Sequence, residues 1–218
     1  LEVALKHISS NGFEEVEIAE MLTHCQHFPI DRVDPIEVGS LLNKYSLKPV
    51  VANINLAVYY TGQPGLLKSP VKNHSSAETQ EIRKAKQQRA HYRLHVKNEA
   101  ELYGHRARKL IDKAKIAGIP MLVLNVGRKE HAEDFDRDLK ATAKVIDEQA
   151  EYAKDAEIKI LLEMPHVWQL YYDVEKSKQM ISYLQSDNVG VVLDSTHWHV
   201  SGYDIDDYVS FLQNRLWQ

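Results

Sequence analysis

Two stretches of the chain end an apolar run on a carboxylate and place an imidazole three residues further on. Residues 158–162 run into Glu163, and Met164 and Pro165 separate it from His166. Residues 189–193 run into Asp194, and Ser195 and Thr196 separate it from His197. Carboxylates and imidazoles together suit Mg²⁺, Mn²⁺, Co²⁺ or Zn²⁺. A hard cation on two carboxylates can chelate vicinal oxygens, polarise a carbonyl and acidify the adjacent C–H. Glu163 and Asp194 are therefore read as metal ligands, and His197 and His166 as the groups that steady a developing oxyanion. The plainer reading is that Glu163 pairs with a neighbouring cation and that Asp194 caps the next turn.

Such residues need a rigid edge. An apolar, β-branched run that stops abruptly at a carboxylate is a common way to present chemistry at one rim of a sheet. Further runs at 13–18, 48–54 and 121–126 also read as strands, with Glu17 near the end of the first. Helical periodicity marks 1–10, 35–45, 78–96, 99–117, 132–154, 173–185 and the segment from Asp204. Asp34-Pro35 is a helix start, and Gly118 a helix stop. Residues 19–32 read as irregular and polar, and 55–77 as a long loop. Alternating helices and apolar strands mean βαβ units and a parallel sheet covered by helices. The expected organisation is a single α/β domain over 1–218, with a loop and helix insertion at about 55–97.

Composition sets limits. The 218 residues carry a net charge of −4, which argues against a dedicated nucleic-acid binder. The basic run 83–115 reads as a solvated helix face. One cysteine, Cys25, excludes an internal disulfide framework and fits a reducing, cytoplasmic setting. No apolar run is long enough to span a bilayer. The chain begins at Leu1 rather than Met, so the native start is taken to be removed or not represented.

Other groups have weaker claims. Trp168 and Trp198 could stack on the apolar face of a sugar, or pack at the rim. His199 could share the side of His197 if the chain stays extended there. His24, Cys25 and His27 match no closed four-ligand zinc site. His91 and His95, four apart, have the spacing of a surface chelate on a helix, but a solvated face explains them as well.

Residues 158–202 resemble the xylose isomerase-like TIM-barrel superfamily, which includes sugar phosphate isomerases and epimerases, inosose dehydratases and endonuclease IV. LLEMPH is similar to its fifth strand, VVLDSTHWHVSG to its sixth, GFEEVEI to its second and MLVLNVG to its fourth. The resemblance implies a parallel (β/α) barrel, incomplete, with about five of the eight strands present. It implies that Glu163 and Asp194 hold a divalent cation (Mn, Mg, Zn or Co). His197 would be a second metal ligand or a substrate contact, and His166 would face substrate. Glu17 would reach a substrate hydroxyl, and Asn125, which stands where many relatives have His, would also contact substrate. The family's strand-seven His and strand-eight Glu have no counterpart, so its usual catalytic base is missing. A piece of a longer protein is the expected explanation; a second chain closing the barrel and a degenerate relative are the others. The implied activity is a metal-dependent isomerase or epimerase of a sugar or polyol, working through an enediolate. The alternatives are a lyase or dehydratase on a keto-sugar or inosose, a non-catalytic sugar- or partner-binding remnant, and an endonuclease IV-like nuclease. The family's habit of forming dimers and tetramers makes a homo-oligomer possible.

Overall fold

Five apolar runs become parallel strands, and the helices between them cover one face of the sheet. A computed structural model describes every residue except 22–24, 55, 57, 60–88, 91, 125, 130–131 and 202–203. In chain order the elements are α1 (Glu2–Ser10), β1 (Glu15–Met21), β2 (Cys25–Gln26), α2 (Pro35–Lys44), β3 (Lys48–Ile54), β4 (Val58–Tyr59), β5 (Arg89–Ala90), α3 (Lys97–Ala117), β6 (Met121–Leu124), α4 (Phe135–Asp155), β7 (Lys159–Glu163), α5 (Val174–Tyr183), β8 (Val189–Val192), α6 (Ser195–Ser201) and α7 (Ile205–Leu212). The main sheet has the order β2-β1-β3-β6-β7-β8. Its neighbours are parallel except for β1 with the two-residue β2.

Local chemistry sets the helix boundaries. Asp34, Asp134, Asp173 and Asp204 each accept a backbone N–H from the first turn of the helix that follows. Gly118 ends α3 in the left-handed region, at φ 75°. Strand alternation then divides the core. Ile18, Ala52, Ile54, Leu122, Leu124, Ile160, Leu162, Val189 and Val191 pack beneath the helices. Val51, Val123 and Leu161 fill the other face with Met121, Val192 and Trp217. Burial on both faces is why these strands read as continuous apolar runs.

Several boundaries differ from the sequence expectation. The strand that carries Glu17 starts at Glu15, where its ladder with β3 begins opposite Lys48, and Phe13 lies outside it, exposed. Residues 19–32 are not simply irregular and polar. β1 continues to Met21, and Phe28 and Ile30 enter the core. Residues 89–90 form β5 against β4 rather than helix. Helix α3 begins at Lys97, two residues before the expected start and with no side-chain cap. Beyond α7 the chain returns to the sheet: Leu216 bridges Val191 in parallel, and the Leu193 N–H donates to Gln218 O at 3.0 Å. Residues 216–218 thus meet the edge of β8. Gly190 is required there, because the Trp217 ring occupies the space a Cβ would need. Among the described residues no helix is long and apolar enough to cross a membrane.

Candidate metal centre

Glu163 is the last residue of β7 and pairs in register with Val192 of β8, which puts it at the C-terminal rim. Residue 165 is a proline and has no N–H, so Glu163 has no backbone donor two residues on. It turns back instead. The Gln169 N–H donates to His166 O at 2.9 Å, and the His166 N–H to Tyr171 O at 3.3 Å. This turn sets His166 over Glu163, with Nε2 3.9 Å from Oε2. His166 Nδ1 faces the Trp168 N–H at 3.4 Å.

His197 arrives from β8 by another route. Residues 195–201 are helical, not extended, because Asp194 caps them: its Oδ1 accepts the Thr196 N–H at 2.6 Å, and its carbonyl accepts the Trp198 N–H at 3.0 Å. Trp198 is buried and stacks on Tyr208, with ring centroids 5.3 Å apart. That contact fixes the roll of α6 and brings His197 Nε2 to 3.2 Å from Glu163 Oε1. The two imidazole centroids are 4.0 Å apart. One ligand atom from each of Glu163, His166 and His197 lies within 4.8 Å of the other two.

Burial makes His166 a lone-pair donor. Burial, then the neighbouring His197, push His166 down to about 4, so it is a neutral imidazole at neutral pH. Burial pushes the Asp194 carboxyl up, but hydrogen bonds from Thr196 and the nearby His197 outweigh it and hold the group below the ordinary carboxylate range. Asp194 stands outside the three-residue cluster. Glu17, in β1 opposite Val51, is raised by burial and accepts Gln218 Nε2 at 3.4 Å.

The remaining candidates separate clearly. Trp168 is 55% exposed, with its ring 5.7 Å from His166 and 6.2 Å from His197. His199 is exposed, and two residues along a helix turn it about 200° away from His197. The shared side expected of an extended chain is lost because Asp194 starts a helix. Trp198 is a core residue, not a sugar platform. His95 is not helical; its Nδ1 lies 2.9 Å from the buried Asp138 Oδ1. Asn125, His24 and His91, and all of 55–77 but Leu56, Val58 and Tyr59, lie outside the described residues. Sequence reasoning missed Glu20, buried beside β2, whose Oε2 accepts the Phe28 N–H at 3.3 Å. Burial pushes Glu20 up to about 7. It also missed Gln169; a lone Gln among the apolar and aromatic residues of 164–172 carries no signal.

The comparisons with known proteins agree on the architecture. The model of the family "Xylose isomerase-like TIM barrel" matches residues 5–217. No curated protein matches the chain. Among solved structures, the IolI protein with a bound zinc atom superposes with a TM-score of 0.62 at 18% identity, covering 94% of this chain and 60% of that one. D-psicose 3-epimerase with D-tagatose, from Clostridium cellulolyticum H10, gives 0.68 at 12% identity, covering 99% and 65%. A family 2 AP endonuclease from Brucella melitensis gives 0.62 at 15%, covering 99% and 70%. At these identities the likeness is one of fold, and this chain spans less than two thirds of the IolI and epimerase structures.

Proposed function

The chain belongs to the xylose isomerase-like TIM barrel family, and from that premise we propose that it serves as a divalent-metal-dependent isomerase or epimerase of a sugar or sugar derivative. The observation that carries this reading is the buried Glu163 carboxylate flanked by His166 and His197 at the strand rim, beside an exposed tryptophan. A buried carboxylate among imidazoles fits a cation, since buried charges are paired or coordinate metals. Glu163, His166 and His197 would hold it, an N₂O set that suits Zn²⁺, Co²⁺ or Mn²⁺ better than Mg²⁺. The bound zinc in the IolI structure is in keeping with this. When bound, such a cation polarises a substrate carbonyl and acidifies the neighbouring C–H.

The chain's own groups do the rest. Ligation through His166 Nε2 requires its ring proton on Nδ1, so the long 3.4 Å contact with the Trp168 N–H opens on binding. Trp168 offers a ring face to the apolar side of a sugar. Glu17, with its proton affinity raised by burial, is the inner-face carboxyl available to a substrate hydroxyl.

Nuclease chemistry is disfavoured by where the basic residues of α3 point. Arg106 and Lys109 both bind Asp31, Lys97 pairs with Glu101, and Lys113 donates to Val33 O. Those charges are engaged within the chain rather than gathered for phosphates.

The test is deuterium exchange by NMR on a panel of ketoses and inososes in D₂O, with and without Mn²⁺, Co²⁺ or Zn²⁺. The expected result is metal-dependent incorporation next to the carbonyl of at least one substrate. Metal bound at the rim, with no exchange in any member of the panel, contradicts the isomerase reading.

A further inference from the structure

The β7 and β6 rim loops are joined through one buried side chain. Gln169 is 4% exposed. With its NH₂ turned toward β6, the amide donates to Val126 O at 3.0 Å and also to Gly127 O; the reverse orientation would set oxygen against oxygen. Val126 and Gly127 are themselves buried, so their carbonyls need donors from protein. Two further contacts hold the same seam. The Lys129 N–H donates to Trp168 O at 3.2 Å. Gly127, at φ 72°, lets Leu170 approach so closely that a Cβ would lie 2.6 Å from Leu170 Cδ1. The backbone of Gln169 is bonded to His166 O at 2.9 Å, so the residue that grips β6 also closes the turn that carries His166.

We propose that Gln169 is a positioning residue, which clasps the loop after β7 to the end of β6 and thereby fixes His166 and Trp168 at the rim. Glutamine suits the task because its primary amide presents two donors to two successive carbonyls without burying a charge. Its effect on cation affinity rests on the metal-binding reading above; its effect on the loops does not.

The experiment compares the protein with Gln169→Met, which keeps the length and removes both donors. In the unmodified protein the Gln169 side-chain NH₂ should exchange with solvent far more slowly than an exposed glutamine. In Gln169→Met, exchange of the Lys129 amide should speed up about tenfold, and Zn²⁺ affinity by calorimetry should fall about tenfold, as for lost outer-shell partners of metal ligands. Unchanged Lys129 exchange overturns the proposal. Faster exchange with unchanged Zn²⁺ affinity overturns the claim that the clasp fixes His166. If the unmodified protein binds no Zn²⁺, the metal reading fails, and the Lys129 result alone decides the clasp. If Gln169→Met does not fold, the exchange of the Gln169 NH₂ in the unmodified protein decides it, free exchange counting against.

Discussion

The ends of β7 and β8 carry the same pattern, a carboxylate followed three residues later by histidine, and the molecule treats them differently. After Glu163 the second residue is Pro165, which has no N–H to offer. After Asp194 the second residue is Thr196, whose N–H binds Asp194 Oδ1 at 2.6 Å. Asp194 is thus drawn into starting a helix. Glu163 is left facing inward, and both histidines converge on it. One end supplies a carboxylate and an imidazole to the cluster; the other supplies an imidazole and a cap. The two patterns thus differ in whether the residue two positions on offers a backbone N–H, and in the turn that follows.

The largest effect should separate two histidines of α6. His197→Ala should weaken Zn²⁺ or Mn²⁺ binding a hundredfold or more, about 2.7 kcal/mol. His199→Ala should leave it unchanged. Calorimetric titration of the two variants checks this, and equal losses would mean that α6 does not hold the geometry described.

A third strand-end carboxylate, Glu20 of β1, is buried without either fate. Its folded value is about 7 against an ordinary 4.5, mainly through burial. Below 4.5 the group is protonated in both states and costs nothing. As pH rises toward 7 the unfolded chain ionises first, so folding loses roughly 2–3 kcal/mol. Glu20→Gln should remove that loss, stabilising the protein at pH 8 and hardly at all at pH 4.5. Denaturant melts at the two pH values would show it; equal shifts would place the carboxyl in water. Smallest is the cap itself. Asp194→Ala should cost about 1 kcal/mol of stability, and Asp194→Asn much less, because Asn also caps. Thermal melts compare the two.

The strands, most helices and the rim position of Glu163 and His197 were legible, because apolar runs and Asp caps act locally. The extension of β1 to Met21 and the burial of Phe28 and Ile30 were not, since a lone Phe or Ile in a polar stretch has no period to read. His166 was visible as a residue but not as a close neighbour of His197. Their meeting depends on Gln169 closing one turn onto His166 and on Trp198 seating α6 against Tyr208, contacts that leave no periodic signal in the sequence. Asp194 was read as a ligand from its place at a strand end; the cap it forms uses Oδ1, and that bond depends on the helix after it, which the strand pattern does not show.

The most direct test is a Zn²⁺ titration of the unmodified chain, Glu163→Gln and Asp194→Asn, with circular dichroism confirming that all three are folded. Binding lost in Glu163→Gln, and kept within about threefold in Asp194→Asn, is the result this account requires. Equal loss in both would contradict it and return the cation to a Glu163–Asp194 pair.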